Sequence, residues 1–232
     1  MQRNSLATLL HKGEGAIDRQ RPRDACKYLT QALKIDPNSI TGHFYLALAK
    51  MKLGLLSAAE DHAKRVLMLN PGEAHAHLNL GIIREKRRDI NSAKRHYRKE
   101  IAINPKSPHA HYNLGRIHFR RKEWKPALAR LLKSYRGGSQ APYLVDDVAW
   151  AAYKSGNVRT EREVYKRVLK DNPNNAWALN NLGATYIGTN SLHKARKFLS
   201  AAQRLRPRDA MIKRNLRRCG AGQTGQHRQR GC

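Results

Sequence analysis

The chain has 232 residues and carries 46 Lys and Arg against 17 Asp and Glu, which gives a formal net charge of +29 at pH 7. No stretch approaches the roughly 18 consecutive apolar residues that a membrane-spanning helix needs, and three cysteines at unrelated spacings argue against a disulfide framework. The charge excess predicts an anionic partner: an acidic protein, a nucleic acid or an anionic membrane surface.

Five prolines set a regular spacing along the chain. They recur at an interval of 34 residues, with one interval doubled, at Pro37, Pro71, Pro105, Pro173 and Pro207. Each follows an apolar-periodic run, and proline disfavours the α conformation in the residue before it, so a helix is expected to end at each of these points. The interval predicts six consecutive units, repeats 1 to 6, at residues 6–39, 40–73, 74–107, 108–141, 142–175 and 176–209.

Two positions within each unit hold small residues. The eighth residue is Gly or Ala in every repeat, at Gly13, Ala47, Gly81, Gly115, Ala149 and Gly183. The twentieth is Ala in every repeat except repeat 5, which has Glu161 there. Small residues that face each other let two antiparallel helices approach closely, and large residues such as Tyr97, Leu131 and Phe198 are expected to fill the space beside that contact. Each unit is therefore predicted to be a helical hairpin.

This pattern resembles the tetratricopeptide repeat (TPR), whose unit is a 34-residue helix–turn–helix. Repeats 3 and 4 begin with the nearly identical stretches AHAHLNLG (74–81) and PHAHYNLG (108–115), and repeat 6 carries Leu182 and Gly183 at the expected positions. The resemblance extends over residues 6–209. It implies an all-α helical-hairpin solenoid, in this family a right-handed superhelix with an open hook shape, and a non-enzymatic scaffold for protein–protein interaction.

One departure from the pattern divides the chain. Repeat 4 ends in RGGSQAP (136–142) in place of the Asn-Pro or Asp-Pro that ends other repeats. We expect this Gly-Gly segment to loosen the stacking between repeats 4 and 5 and to act as a hinge. The predicted domains are therefore repeats 1–4 (residues 6–141) and repeats 5 and 6 (residues 142–209).

The two ends of the chain lie outside the repeats. Residues 1–5 are predicted to be an N-terminal extension. The stretch 210–218 is predicted to be a capping helix, because the last unit of a repeat array otherwise exposes its apolar stacking face. Residues 219–232 are rich in Gly, Gln and Arg, and this composition predicts a disordered basic tail.

Histidines recur in the first helices of the central repeats. His43, His77 and His111 occupy the fourth position of repeats 2, 3 and 4, and His75 and His109 occupy the second position of repeats 3 and 4. Equivalent helices of neighbouring repeats pack about 10 Å apart, which is too far for two imidazoles to share one zinc ion at about 2 Å each. We therefore predict that the histidines are structural, with those at the fourth position filling a semi-buried site, and that the chain holds no metal ion and no cofactor.

Catalytic signatures are missing from the sequence. It contains no G-x-x-x-x-G-K-[ST], no G-x-S-x-G, no H-E-x-x-H and no C-x-x-C motif. The adjacent carboxylates Asp146 and Asp147 diverge on a helix and make a poor acid/base pair. We expect no catalytic residue and no enzyme.

In TPR proteins the first helix of each unit lines a concave face that holds ligands, and the resemblance carries this role to the sixth position of each unit. That position reads Tyr45, Asn79, Asn113, Asp147 and Asn181. Asparagine offers a donor and an acceptor, which matches the backbone of an extended peptide. Tyr112, Arg116 and Trp150 lie at nearby groove-facing positions, where they would hold apolar side chains, stack on bases or pack between helices. These eight residues form the predicted peptide groove.

A second candidate set is cationic. Position 13 and the turns REKRRD (84–89) and FRRKEW (119–124) supply Lys52, Lys86, Arg87, Arg88, Arg120, Arg121 and Lys154. Equivalent turns of a solenoid lie along one edge, so these residues are predicted to form one anion-binding surface, called the basic ridge below. The alternative is an ordinary solvated edge, because lysine is frequent at position 13 in the family.

Three functions remain open at this point. The first is a scaffold that binds an extended acidic or phosphorylated segment of a partner protein in the groove, with self-assembly through the repeats as a further interaction. The second is binding of RNA or single-stranded DNA along the basic face. The third is peripheral attachment to an anionic membrane or organelle surface. No apolar signal-peptide segment is evident, so we expect a cytoplasmic location.

Overall fold

The computed structural model describes residues 5–141 and 143–227, with side chains described up to residue 220. This part of the chain contains only helices and no strand. In chain order the helices are α1 (Leu6–Asp18), α2 (Pro22–Ile35), α3 (Ile40–Lys52), α4 (Leu56–Leu69), α5 (Ala74–Lys86), α6 (Ile90–Ile103), α7 (Pro108–Arg120), α8 (Trp124–Arg136), α9 (Leu144–Lys154), α10 (Val158–Asp171), α11 (Ala176–Gly188), α12 (Leu192–Leu205) and α13 (Ala210–His227). Two helices in every repeat confirm the predicted all-α helical repeat fold.

The chain divides into two compact units. Unit 1 comprises Met1–Arg121 and Arg130–Ala141, and unit 2 comprises Lys122–Ala129 and Pro142–Cys232, so that α8 contributes to both. Within unit 1 each helix packs on the next from α1 to α7, and the first helices α1, α3, α5 and α7 also contact each other in sequence. Within unit 2 the helices α9 to α13 pack in the same consecutive way. The core of each unit therefore lies between helices that are close in sequence.

Polar side chains fix the start of most helices. Ser39, Ser107, Asn157 and Asn175 each accept a hydrogen bond from a backbone N–H in the first turn of the following helix, at 3.0 to 3.4 Å. Such caps satisfy backbone donors that have no partner inside the helix. The register of the hairpins thus follows from local sequence.

Small residues at the eighth position bring the two helices of a hairpin together, as predicted. A Cβ added to Gly81 would lie 2.6 Å from Cδ1 of Tyr97, and one added to Gly115 would lie 2.9 Å from Cγ of Leu131. In repeat 6 the residue against Gly183 is Leu199, at 2.6 Å from such a Cβ. The expectation that Phe198 fills this space is wrong, because Phe198 lies one residue earlier on the helix and stacks on Tyr186.

The last helix is longer than the sequence predicts. α13 continues beyond residue 218 to His227, into the stretch expected to be a disordered tail. Ile212 and Cys219 are buried, and Leu216 packs beside Ile212, so the apolar stripe of the cap continues past the predicted end. Residues 1–4 of the predicted extension and residues 228–232 of the predicted tail lie outside the described residues. No helix among those described is long and apolar enough to span a bilayer.

Candidate functional site

Tyr45, the first residue of the predicted peptide groove, is already engaged by a neighbouring repeat. It is half-buried on α3, and its hydroxyl donates a hydrogen bond to the carboxylate of Glu14 on α1. Burial and the nearby Glu14 carboxylate both disfavour the phenolate and raise the pKa of Tyr45 to about 12. This hydroxyl links repeats 1 and 2 within unit 1.

The three groove asparagines occupy different environments. Asn79 on α5 is only 3% exposed, and its Nδ2 is buried with no hydrogen-bond partner in the described part of the chain. Asn113 on α7 is half-buried. In unit 2, Asn181 is half-buried and its Oδ1 accepts a hydrogen bond of 3.2 Å from Nδ2 of Asn180. A peptide can reach Asn113 directly, whereas Asn79 is enclosed.

An aromatic residue and a cation accompany Asn113 on α7. The guanidinium carbon of Arg116 lies 5.8 Å from the centroid of the Tyr112 ring, and both side chains are half-buried. At this distance the cation and the ring face attract each other. α7 therefore presents an amide, an aromatic ring and a guanidinium on one helix of unit 1.

Trp150, one of the groove residues of unit 2, belongs to an exposed aromatic cluster on α9. Trp150 and Tyr153 are 48% and 58% exposed, with ring centroids 5.7 Å apart, and Nζ of Lys154 lies 4.9 Å from the centroid of Trp150. Lys154, predicted for the basic ridge, is thus also a partner of these rings. Asp147 on the same helix is buried.

One carboxylate holds several cations near the basic ridge. Glu60 on α4 is 4% exposed and pairs with Lys64, Arg84 and Arg87. Burial alone would raise the pKa of Glu60, but these three cations outweigh it and hold the pKa below its usual value. Arg87 is therefore fixed by an ion pair between repeats 2 and 3, in a cluster where cations outnumber the carboxylate.

A second carboxylate joins repeats 3 and 4. Glu85 accepts a hydrogen bond from Arg120 at 2.5 Å and one from the Tyr97 hydroxyl at 2.9 Å. Lys52, another ridge residue, donates to Oε1 of Gln20 at 3.0 Å. These contacts place Arg120 and Lys52 against neighbouring repeats.

The remaining ridge residues of unit 1 have a different environment. Lys86, Arg88 and Arg121 are exposed, and within the described residues their side chains form no ion pair or hydrogen bond. Their charges face solvent. In unit 1 the predicted ridge therefore divides into paired cations and three cations that are open to a ligand.

The turn between the two helices imposes a left-handed backbone conformation in every repeat. The fifteenth position has positive φ at Gln20, Gly54, Arg88, Lys122, Gly156 and Asn190. Helices commonly end on such a residue, usually glycine, because a Cβ is unfavourable in this region. Arg88, at φ 63°, is thus a cation at a position that repeats 2 and 5 fill with glycine.

Histidines form two pairs that the sequence patterns did not reveal. Nδ1 of His43 lies 2.9 Å from Nδ1 of His62, and Nδ1 of His77 lies 3.3 Å from Nδ1 of His96. The fourth-position histidines follow one another from repeat to repeat, whereas the close contacts between imidazoles lie within a repeat. The available signal was the spacing of 19 residues, which occurs in both pairs.

Three family models described as tetratricopeptide repeat match residues 16–81, 78–142 and 164–197. The chain belongs to the tetratricopeptide repeat family. Proteins of this family are in general scaffolds for protein–protein interaction, which places this TPR protein in that broad class. No curated protein matches the chain.

Solved TPR structures resemble the chain in fold at low sequence identity. PilF of Pseudomonas aeruginosa is 20% identical with a TM-score of 0.67, and the match covers 90% of this chain and 95% of that one. YrrB, a TPR protein with an unusual peptide-binding site, is 18% identical with a TM-score of 0.63, covering 80% and 96%. A chain of the APC/C hetero-tetramer Cut9-Hcn1 is 16% identical with a TM-score of 0.62; the match covers 93% of this chain, which spans only 43% of the length of that one.

Proposed function

We propose that this TPR protein is a scaffold that binds an extended acidic or phosphorylated segment of a partner protein. In unit 1 the side chains of α7 contact the bound segment, and the exposed cations of the basic ridge select its negative charges. The exposed aromatic residues of α9 give unit 2 a binding surface of its own for apolar side chains.

The observation that carries this proposal is a group of exposed cations, Lys86, Arg88 and Arg121, whose side chains form no ion pair or hydrogen bond within the described residues. A residue with a Cβ in the left-handed region is less stable by about 1–2 kcal/mol than in the right-handed region, a cost that glycine avoids. The Arg88 side chain is exposed and forms no ion pair or hydrogen bond among the described residues, so no such contact offsets this strain. The left-handed conformation recurs at this position in all six repeats, so it belongs to the turn of the repeat. The support for an anionic ligand comes from the exposure of these unpaired cations.

The paired cations support the same ligand. Glu60 neutralises one of the three positive charges of Lys64, Arg84 and Arg87, so this cluster keeps an excess of positive charge. The ion pair already fixes the Arg87 side chain in place. Binding an anion there therefore costs less side-chain entropy than binding at a free arginine. The cluster therefore adds a positive electrostatic potential, held in place by the ion pairs, beside the exposed cations.

The groove contribution rests on α7. Asn113 offers a donor and an acceptor to a peptide backbone, and the neighbouring Tyr112 and Arg116 offer a ring face and a guanidinium. That YrrB has a peptide-binding site on a similar fold supports this use of the helix. Asn79 is enclosed and is not expected to contact the ligand, so its substitution serves as the control for Asn113.

The test is fluorescence anisotropy with labelled peptides of equal length that are rich in glutamate, phosphoserine or glutamine. It is run at about 0.3 M salt, where purely electrostatic binding to phosphates is already weakened. Replacing three exposed ridge cations (Lys86→Gln/Arg88→Asn/Arg121→Gln) should weaken binding of the acidic peptides by about 10-fold or more, at about 0.5–1 kcal/mol per exposed contact. Asn113→Ala should weaken all three peptides, and Asn79→Ala should weaken them less.

A matched control removes the same number of charges elsewhere. Lys197→Gln/Arg204→Gln/Lys213→Gln changes exposed positions on α12 and α13. An equal loss in both triple variants would mean that net charge alone attracts the peptide, and the ridge assignment would be rejected. Tighter binding of a single-stranded oligonucleotide than of any peptide at this salt would favour the nucleic-acid function instead.

A further inference from the structure

Two histidine pairs occupy equivalent places in consecutive repeats. His43 on α3 faces His62 on α4, and His77 on α5 faces His96 on α6, in each case through the two Nδ1 atoms. TPR packing does not require histidine there, since repeat 6 has Leu179 and Phe198 at the same two positions. The recurrence therefore calls for an explanation other than helix packing.

The two rings of each pair point directly at each other. In His43 and His62 the ring centroids are 5.1 Å apart and the Nδ1 atoms are 2.9 Å apart. In His77 and His96 the corresponding distances are 5.5 Å and 3.3 Å. The centroid distance thus exceeds the Nδ1 distance by 2.2 Å in both pairs. This excess is close to the sum of the two ring radii. Each Nδ1 thus lies nearly on the line that joins the two rings, and the lone pair or N–H bond of each Nδ1 is directed along that line.

A backbone carbonyl fixes the tautomer of the first ring. Nε2 of His43 lies 3.0 Å from the carbonyl oxygen of Pro37. A carbonyl oxygen only accepts, so Nε2 carries the hydrogen and Nδ1 presents its lone pair to His62. Second contacts of this type orient the histidines that bind metals.

Repeat 4 holds half of the same arrangement. Nε2 of His111 lies 3.0 Å from the carbonyl oxygen of Pro105, and its Nδ1 is buried without a hydrogen-bond partner among the described residues. The position that carries His62 and His96 in the preceding repeats carries Arg130 here. Repeat 4 therefore provides a natural comparison with one imidazole in place and the second absent.

We propose that each pair, His43 with His62 and His77 with His96, is a two-coordinate site for the monovalent soft metal ion Cu(I). Opposed lone pairs match the linear coordination that Cu(I) adopts with two ligands, and imidazole is a suitable ligand for copper. Bonds of about 2 Å to each nitrogen would separate the Nδ1 atoms by about 4 Å. Each pair therefore has to widen by about 1 Å.

The surroundings favour a monovalent ion over a divalent one. No group of three or more His, Cys, Asp or Glu side chains that could hold a metal occurs among the described residues, so each pair offers two protein ligands. At His62 the cation Lys50 is opposed by the carboxylate Asp61, whereas His96 lies near the three cations Lys99, Arg84 and Arg95. Repulsion from these cations grows with the charge of the bound ion and is smaller for Cu(I) than for Zn(II).

The hydrogen bonds of the first pair define the change that metal binding requires. On binding, the hydrogen on Nδ1 of His62 is transferred through solvent to Nε2 of the same ring, and Cu(I) takes its place between the two nitrogens. No net proton is released and no electron is transferred.

The test is an anaerobic titration of the full chain with Cu(I) against a coloured Cu(I) chelator. His62→Gln and His96→Gln should each bind one ion fewer than wild type, and the double variant two fewer. Arg130→His should bind one ion more, because it completes the arrangement around His111. The cysteines are present in every variant, so their contribution cancels. His75→Gln/His109→Gln, which removes two exposed histidines outside the two pairs, should leave the stoichiometry unchanged.

Equal stoichiometry in wild type and the double variant would overturn the proposal, since the ions would then be adventitious or bound to thiols. A second measurement does not depend on folding of any variant. Nitrogen NMR of the wild-type imidazoles with Ag(I), a redox-inert substitute, should shift Nδ1 of the four paired histidines and leave His75 and His109 unchanged. A response at the exposed histidines, or none at the paired ones, would reject the sites.

Discussion

Glu161 occupies a position that is alanine in every other repeat, and its replacement by alanine should change how stability depends on pH. The side chain is 7% exposed on α10, and burial raises its pKa from 4.5 to about 7, with Arg162 opposing the shift. The folded protein therefore keeps a proton between pH 4.5 and 7 that the unfolded chain has released. The contribution of Glu161 to stability is fully present below pH 4.5 and is lost as the pH rises through 7.

The size of this effect follows from the shift. A shift from 4.5 to about 7 corresponds to at most about 3 kcal/mol, and solvent screening of a partly hydrated carboxylate reduces this to about 1–2 kcal/mol. Glu161→Ala should therefore stabilise unit 2 by about 1–2 kcal/mol at pH 8 relative to its effect at pH 4.5.

Tryptophan fluorescence during urea unfolding measures the change, because Trp124, Trp150 and Trp177, the three tryptophans of the chain, all belong to unit 2. Wild type and variant are compared at both pH values. Glu163→Ala is the control on the same helix, where the exposed carboxylate pairs with Arg159, and its effect should not depend on pH in this way. The reasoning is refuted if the stability of Glu161→Ala keeps the pH dependence of the wild type between pH 4.5 and pH 8.

Three further outcomes are expected. Gly81→Ala should destabilise the protein by about 1–3 kcal/mol in urea unfolding, because the new Cβ would overlap the Tyr97 ring. Gly188→Ala, which has no atom within 4 Å of its new Cβ, should be nearly neutral in the same assay. Equal effects of the two substitutions would contradict the packing argument. Arg88→Gly should raise the free energy of unfolding by about 1 kcal/mol by relieving the left-handed strain while weakening binding of an acidic peptide; loss of stability would argue against strain at this position. Limited proteolysis followed by mass spectrometry should show the first cut within 136–141, where Gly138 has a positive φ; a first cut inside a helix would count against a weak junction there.

The candidate site was predicted less completely than the fold. Position 6 of the repeat correctly identified residues on the first helices, yet Asn79 is enclosed and Asn113 is half-buried although both follow the same motif. Their exposure depends on side chains contributed by neighbouring helices. A repeat pattern assigns both residues the same place and cannot separate them.

The sequence by itself determined the features that depend on local interactions. The 34-residue interval, the caps and the small eighth residue specify hairpins, because helix propensity, capping and proline act over a few residues. The tertiary structure decided which side chains meet: Tyr45 with Glu14 across 31 residues, and Arg120 with Glu85 across 35. Such contacts depend on the distance and rotation between packed helices, and a shift of one residue in the rotation of a helix would break them. For this reason the fold was readable from the sequence, whereas the division of the cations into paired and exposed groups and the two histidine pairs required the tertiary structure.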